Sequence, residues 1–202
     1  MIRNVVFDLG RVLVEYTPEL YIRKYVSDDG DVAIINREMF HAPEWLDNDR
    51  GSITSDQFLQ AVCKRIPQRL HAEVKKIWEN WQNFLVPIPE TNALAKNLKE
   101  RGYHVFLLSN MSEKYYGIRH IIPALPYLDG EFISADVHQV KPDEEIFQTF
   151  LKRYGLKSQE CFFIDDRAEN IAGAEKTGMK GFCFRHNVAE LKKTLKGAGV
   201  EV

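Results

Sequence analysis

The sequence has 202 residues, a formal net charge of −2 at pH 7 and 28% charged residues. This near balance gives no hint of binding to nucleic acids or membranes, which favour strongly basic surfaces. No stretch approaches the roughly 20 apolar residues of a membrane span. The apolar N-terminal run ends at Asp8, too early for a signal peptide, and the three cysteines have no metal-ligand spacing. We expect a soluble, cytoplasmic protein with one domain, or one core plus a modest insertion.

The first predicted element is a buried strand, "NVVFDL" (4–9), which brings Asp8 to its carboxyl end. The residue two positions further on is Gly10. Taken alone, an aspartate in this position is most often a turn or helix-capping residue. Its chemical meaning therefore depends on what the rest of the chain places beside it.

Residues 16–85 form a different kind of segment, with helical patterns and no convincing strand. Four helices are predicted, in "PELYIRKYV", "DVAIINREMF", "TSDQFLQAVCKRI" and "AEVKKIWENWQNF", and Thr54 with Gln57 predicts a capping box at the start of the third. The segment "VPIPE" (86–90), with two prolines, is typical of a returning linker. We therefore expect a helical cap domain at 16–85, inserted into a core made of 1–15 and 86–202.

Strand and helix alternate in the remainder of the chain. The predicted strands are "HVFLLSN" (104–110), a weaker "GEFISA" (130–135), "CFFIDD" (161–166) and "GFCF" (181–184). Amphipathic segments lie between them and end at Gly102, Gly155 and Gly178, where helices commonly stop. Continuous apolar runs that alternate with helices are typical of an α/β fold with a doubly wound parallel sheet, covered on both faces.

Polar residues follow three of the predicted strands, at the edge where an open α/β sheet binds its ligands. They are Asp8, Ser109 with Asn110, and Asp165 with Asp166, and Lys141 lies in the loop "VKPD". Converging carboxylates repel one another unless a cation lies between them, and Mg²⁺ prefers oxygen ligands and substrate phosphates. One carboxylate can then attack phosphorus, while a lysine and a hydroxyl hold the phosphoryl oxygens. Each residue alone has a commoner structural role, so the prediction depends on the positions together.

The segments "VFDLG", "LLSN", "VKPD" and "FFIDDRAENI" resemble, in order, the four signature motifs of the haloacid dehalogenase superfamily. The segment 16–85 resembles that superfamily's small helical cap, and "NDRGSITSDQF" (48–58) resembles a cap segment of the bacterial glucose-1-phosphate phosphatase group. The phosphatase domain of soluble epoxide hydrolase is a more distant likeness. The resemblance implies a Rossmann-like core and a Mg²⁺-dependent hydrolase of a small phosphorylated metabolite, such as a hexose 1-phosphate.

The resemblance also implies which residues act on the phosphate. Asp8 would be the nucleophile, which forms an aspartyl-phosphate, and would also be a Mg²⁺ ligand. Ser109 and Lys141 would bind the phosphate, with Asn110 beside them, and Lys141 would assist catalysis.

The remaining motif residues are implied to serve the metal. Gly10 would offer its backbone carbonyl, and Asp166 would be the main carboxylate ligand from the last motif. Asp165 would help directly or through water. Asn170 stands where many relatives have an aspartate, and it would support the ligands from behind.

Gly10 departs from the superfamily pattern, which mostly has an aspartate here that protonates the leaving group. General acid–base catalysis of this kind contributes about 10²–10⁴-fold. Three explanations stay open. The protein is a phosphatase of an easily leaving phosphate, such as an anomeric one, helped by a cap residue or water. Alternatively it is a metal-independent 2-haloacid dehalogenase, against which the pair Asp165-Asp166 argues, or a hydrolysis-impaired protein that binds a phosphorylated ligand or a partner.

Two groups of residues in and beside the segment 16–85 are candidates for the substrate pocket. The polar candidates for the missing acid are Glu15, His41, Asp47 and Asp49, and the aromatic candidates are Phe40, Trp45, Trp78 and Trp81. Polar residues of this kind are mostly solvated, and aromatic residues at helical spacing mostly belong to a core. The sequence therefore favours packing roles for the aromatic residues. It carries no signal for the oligomeric state.

Overall fold

The computed structural model describes residues 1–202 and contains seven strands. In chain order they are β1 (Asn4–Phe7), β2 (Val14–Glu15), β3 (Val86–Pro87), β4 (His104–Ser109), β5 (Gly130–Ile133), β6 (Cys161–Asp165) and β7 (Lys180–Cys183). Five of them form one parallel sheet in the order β5-β4-β1-β6-β7, and β2 pairs with β3 as an antiparallel ribbon. The predicted doubly wound α/β class is confirmed.

Helices flank the sheet and fill the segment between the two ribbon strands. The α-helices are α1 (Pro18–Ile22), α2 (Asp29–Ile35), α3 (Pro43–Asp49), α4 (Ser55–Cys63), α5 (His71–Asn80), α6 (Pro89–Glu100), α7 (Tyr115–Ile118), α8 (Ser134–Val137), α9 (Glu144–Tyr154), α10 (Ala168–Lys176) and α11 (Val188–Gly197). A π-helix covers Asn36–Phe40, and 3₁₀ turns cover Gln68–Leu70, Trp81–Phe84, Arg119–Ile121, Leu125–Tyr127 and Ser158–Glu160. None of these helices is long and apolar enough to cross a membrane.

β1 lies at the centre of the sheet because both of its faces are apolar. Successive side chains of a strand point to opposite faces. Val5 and Phe7 belong to the larger core cluster, whereas Val6 packs with Phe106 and Phe163 in the smaller cluster on the opposite face. All four residues of β1 are buried, which explains the continuous apolar run in the sequence.

The first strand ends earlier than predicted, at Phe7. Beyond Asp8 the chain folds into a tight loop, in which the Leu9 carbonyl accepts hydrogen bonds from the backbone N–H groups of Leu13 and Val14 at 2.8 and 3.0 Å. Asp8 therefore stands just outside the sheet, and Gly10 lies in the loop.

Residues 16–85, called the helical insert below, agree with the sequence patterns in type but not in every boundary. Thr54 and Gln57 form the predicted capping box, since each backbone N–H donates to the other's side chain, at 2.8 and 3.2 Å. The patterns do not predict α3, whose seven residues are too few to show a period. The predicted linker at 86–90 instead supplies β3 and the first residues of α6.

Two features hold the helical insert against the core, besides the contacts of Lys114 with Gln82 and Trp78. At its base, the strands that lead into and out of it, β2 and β3, pair with each other. At the end of α3, the backbone carbonyl of Asp49 accepts a hydrogen bond from the Ser134 hydroxyl at 2.5 Å, and the Arg50 carbonyl lies 3.1 Å from His138 Nδ1. Because Ser134 directly follows β5, the second contact holds the insert at the carboxyl end of the sheet.

Asn92 joins three backbone segments near the ribbon. Its Nδ2 donates to the carbonyls of Leu13 and Ile88, both at 2.7 Å, and its Oδ1 accepts from the N–H of Ala124 at 3.0 Å. The side chain is buried. Its loss would leave buried backbone groups without a partner, which is costly.

We expect Asn92→Ala to lower the free energy of unfolding by roughly 2–4 kcal/mol, because each orphaned buried group costs about 1–3 kcal/mol. Urea denaturation measures the loss. The control is Asn97→Ala on the same helix, where Oδ1 accepts only from the exposed Arg101 side chain at 2.8 Å. Equal losses in the two variants would contradict the role of Asn92.

Candidate active site

Three strand ends meet at one edge of the sheet and bring polar residues together. β1 lies between β4 and β6, so Asp8, Ser109 and Asp165 stand at the carboxyl ends of neighbouring strands. Lys141 comes from the loop that leads into α9, and its side chain reaches the same point. The structure thus gathers these four predicted site residues in one place.

The Lys141 ammonium lies between two carboxylates. Its Nζ is 2.8 Å from Asp8 and 2.6 Å from Asp165, and it donates to the backbone carbonyl of Leu108 at 3.1 Å. The side chain is 1% exposed. Burial alone lowers the pKa of Lys141, but the charges of Asp165 and Asp8 outweigh it, so the pKa is raised. The lysine therefore stays charged and links three strand ends.

The Asp8 carboxylate is only partly compensated by Lys141. Burial raises the pKa of Asp8 to about 7, against the opposing effect of Lys141, and the charge of Asp165 adds to the rise. The nearby Asp166 also has a raised pKa, because of burial and then the charge of Asp165. Three carboxylates around one buried ammonium carry an excess of negative charge, which a further cation would relieve.

Asp165 is fully engaged with protein donors. Its carboxylate accepts from Lys141 Nζ, from the backbone N–H of Arg167 at 2.8 Å and from Asn170 Nδ2 at 3.0 Å. It therefore fixes the lysine and the start of α10. Asp166 is freer, since its side-chain partner is the half-exposed Arg11 at 3.4 Å.

The donor set of this cluster fits Mg²⁺. Carboxylate oxygens of Asp8, Asp165 and Asp166 all lie within 4.8 Å of one another. Asn170 Oδ1 is buried and has no hydrogen-bond partner, so it offers one more oxygen at the same place. Oxygen donors with an excess of negative charge are the environment that Mg²⁺ prefers.

Ser109 and Asn110 differ in what their side chains do. The buried Ser109 hydroxyl has one weak contact, to the Asn110 carbonyl at 3.5 Å, so it is available to a ligand. The Asn110 amide instead forms a pair of hydrogen bonds with the Lys141 backbone, at 2.9 and 2.8 Å. Asn110 therefore positions the lysine loop against β4.

A cavity of about 530 Å³ opens above the cluster. The core lines it with Asp8, Gly10, Ser109, Asn110, Lys141, Asp166 and Asn170, and the helical insert lines it with Tyr16, Phe40, His41, Trp45, Asp49 and Trp81, among others. The expected packing roles are confirmed, since Phe40, Trp78 and Trp81 belong to the core cluster and Trp45 packs against it. Phe40, Trp45 and Trp81 also line the cavity, whereas Trp78 stacks on Phe58 with ring centroids 4.2 Å apart. Phe40 lies in the π-helix, Trp45 in α3 and Trp81 in a 3₁₀ turn. Because they belong to different elements, helical spacing could not identify them as pocket residues.

Asp49 stands out among the four polar candidates for the missing acid. Asp49 and His41 line the cavity, whereas Glu15 and Asp47 do not. Asp49 is 7% exposed. Burial raises the pKa of Asp49 to about 7, although the Ser112 backbone N–H and the Trp45 side chain oppose the shift.

Comparisons with known proteins place the chain in a family. A profile of haloacid dehalogenase-like hydrolases matches residues 2–178. The sesquiterpene phosphatase astK of Aspergillus oryzae is 27% identical over 188 residues, which is 93% of this chain and 92% of that protein. Flavin mononucleotide hydrolase 1 of Arabidopsis thaliana is 30% identical over 165 residues, 82% of this chain and 66% of that protein.

A solved structure shares the fold. It is a haloacid dehalogenase family enzyme of Bacteroides thetaiotaomicron in complex with magnesium and inorganic phosphate, with a TM-score of 0.70 and 24% identity over 92% of this chain and 95% of that chain. The protein belongs to the haloacid dehalogenase-like hydrolases, as its motifs predict.

The free energy of unfolding of Asp49→Asn, relative to that of the parent, is expected to increase as the pH rises from about 4 to 7. In the unfolded chain the carboxyl ionises near pH 4, but the folded pKa is about 7. Between these values the folded state binds more protons, so rising pH weakens the parent and not the amide variant. Urea denaturation with EDTA across this range measures the difference. Asp47→Asn is the control, and a pH-independent difference for Asp49→Asn would contradict the expectation.

Proposed function

We propose that the protein is a Mg²⁺-dependent phosphatase that forms an aspartyl-phosphate on Asp8 and acts on a small phosphorylated metabolite. The observation that carries the proposal is the Lys141 ammonium held between Asp8 and Asp165, at 2.8 and 2.6 Å, at the base of the cavity. A buried carboxylate beside a fixed cation is the arrangement that a nucleophile toward phosphorus needs.

Asp8, Lys141 and Ser109 have different roles in the proposed phosphoryl transfer. An Asp8 oxygen bonds to phosphorus while the bond from phosphorus to the alcohol oxygen breaks, and that oxygen takes a proton from Asp49 or from water. Lys141 and the free Ser109 hydroxyl hold the phosphoryl oxygens. Water then attacks phosphorus, releasing inorganic phosphate and restoring the Asp8 carboxylate.

The metal would be held by oxygens around Asp8. Its ligands would be the carboxylates of Asp8 and Asp166 and the backbone carbonyl of Gly10, with Asp165 helping directly or through water. Mg²⁺, when bound, supplies positive charge that neutralises phosphoryl oxygens. The orphaned Asn170 Oδ1 supports this site from behind.

The relatives support the reaction class. The two named above are a sesquiterpene phosphatase and a flavin mononucleotide hydrolase, and the related enzyme structure contains magnesium and inorganic phosphate. A dehalogenase is less favoured, because a metal-free site gains nothing from three clustered carboxylates. A hexose 1-phosphate stays a prediction, supported by Gly10, since an anomeric phosphate leaves with little protonation.

We also propose that residues 16–85 act as a cap on a core made of residues 1–15 and 86–202. Two contacts support this division, the β2–β3 ribbon and the Asp49–Ser134 hydrogen bond. The cavity lies between the two parts, since both line it. A cap in this position excludes water from the bound ester.

Asp8→Asn is expected to lower turnover of phosphate esters by about 10³-fold or more, as the loss of other covalent nucleophiles does. A panel of esters assayed for released phosphate, with Mg²⁺ and with EDTA, measures it, and EDTA should abolish parent activity. The exposed Asp56→Asn is the matched control. Equal activities for the parent and Asp8→Asn would refute the nucleophile, and chloroacetate turnover without metal would favour the dehalogenase.

Asp49 is the best candidate for the acid that Gly10 lacks. It is the one carboxylic acid that the helical insert contributes to the cavity lining. Gly10 itself has room for a side chain, because an added Cβ would lie 3.9 Å from Tyr16 Cβ. The proposed acid can therefore be removed at Asp49, and an aspartate can be introduced at Gly10 in its place.

Asp49→Asn should lower kcat/KM for alkyl phosphates by about 10²-fold, within the range of general acid catalysis. The loss should be below about 10-fold for p-nitrophenyl phosphate, whose leaving group needs no proton. Adding Gly10→Asp to Asp49→Asn should restore alkyl phosphate turnover, and Asp47→Asn is the control. If Asp49→Asn and Asp47→Asn behave alike on both esters, Asp49 is not the acid.

A further inference from the structure

Four aromatic rings form one side of the cavity. This aromatic wall consists of Tyr16, Phe40, Trp45 and Trp81. Ring centroids are 4.9 Å apart for Phe40 and Trp45, 5.2 Å for Trp45 and Trp81, and 6.0 Å for Tyr16 and Trp81. The rings are in mutual contact, so they present a continuous surface rather than isolated groups.

The aromatic wall faces the same cavity as the nucleophile. Leu46 and Leu85 also line this cavity, together with the strand-end cluster around Asp8. A phosphate at Asp8 therefore places the rest of its ester against the wall. The cavity of about 530 Å³ has room for on the order of 18 non-hydrogen atoms, if each takes about the 30 Å³ of a liquid water.

The wall offers few partners for hydroxyl groups. A hexose has a hydroxyl on almost every carbon, and each one buried without a hydrogen bond is costly. On the insert side, His41 Nδ1 already lies 3.0 Å from the Asn36 carbonyl, at an exposed position. Trp81 Nε1 is a buried donor without any partner. With the Tyr16 hydroxyl and the Asp49 carboxylate, these are the few polar partners on the insert side, so it suits a hydrocarbon group that carries at most a few polar atoms.

We propose that the alcohol part of the substrate is predominantly hydrocarbon, and that the aromatic wall binds it while the strand-end cluster holds the phosphate. The inference rests on the proposed phosphatase function. It selects apolar esters over sugar phosphates for the same catalytic site, and it assigns specificity to Phe40, Trp45 and Trp81.

The first experiment compares two esters of primary alcohols, which have similar leaving tendencies. With the parent protein and Mg²⁺, kcat/KM for 3-phenylpropyl phosphate should exceed that for glucose 6-phosphate by about 10-fold or more, a ratio that hydrophobic pockets achieve. Equal or faster turnover of glucose 6-phosphate would overturn this inference and leave the phosphatase function standing.

A matched pair of leucine variants tests the wall. Leu46 lines the cavity and is 36% exposed, whereas Leu20 is 59% exposed and lies outside it. Leu46→Ser should lower the kcat/KM ratio of the two esters by about 3-fold or more, mainly through KM, which is the scale of a few lost methylene contacts. Leu20→Ser should not change the ratio. Equal ratios in both variants would count against the wall, and Trp45→Ala, checked for folding by its melting temperature, should lower the ratio further.

A binding measurement keeps the inference testable even if no ester is hydrolysed. The parent with Mg²⁺ is titrated with 3-phenylpropylphosphonate and with methylphosphonate, while tryptophan fluorescence is recorded. The Kd for the phenylpropyl compound should be lower by about 10-fold or more, a ratio of the size that hydrophobic contacts give. Equal Kd values would overturn the apolar subsite, whereas tight binding without turnover would refute only the phosphatase function.

Discussion

The buried ammonium of Lys141 is the interaction on which the rest of the site depends. A buried cation is destabilising unless carboxylates and carbonyls surround it, and here they come from three neighbouring strands: Asp8 after β1, Leu108 in β4 and Asp165 in β6. The strand order therefore has to keep β1 in the centre. The pair of hydrogen bonds between Asn110 and the Lys141 backbone holds the loop that delivers the lysine. Removing either Asp8 or Asp165 would leave the Lys141 ammonium with less compensating charge, so the three side chains behave as a unit.

The same cluster explains why the site is suited to a metal and a phosphate together. One ammonium does not balance three carboxylates, and the raised pKa values of Asp8 and Asp166 express that excess. The charge of Asp8 also contributes, after burial, to the raised pKa of Asp49, which lines the same cavity. A divalent cation would lower the pKa of Asp8 and so produce the ionised nucleophile. Its charge would also admit a phosphate dianion that the carboxylates alone would repel.

The core was predicted well from the sequence because its strands and the polar residues at their ends are contiguous in the chain. Strands buried on both faces read as continuous apolar runs, and their polar ends follow directly in the chain, so Asp8, Ser109 and Asp165 could be placed without a structure. The insert was predicted less well. Its pocket residues come from the segment after β2, a π-helix, a short helix and a 3₁₀ turn, so Tyr16, Phe40 and Trp81 share no period. The engagement of Asp165 with protein donors also depends on tertiary contacts that no motif displays.

The two sides of the cavity have different chemical tasks. In the proposed reaction the core side binds the phosphate, which is the same in every ester, and its residues form one hydrogen-bonded cluster at the strand ends. In the proposed reaction the helical insert binds the alcohol, and the ribbon, the contacts after α3 and Lys114 beside Gln82 hold this insert against the core. With glycine at position 10, the core side lacks the acid that protonates the alcohol oxygen. Placing that acid at Asp49 would unite the recognition of the alcohol and its protonation on one element, so that only an ester bound against the wall would be protonated as it leaves.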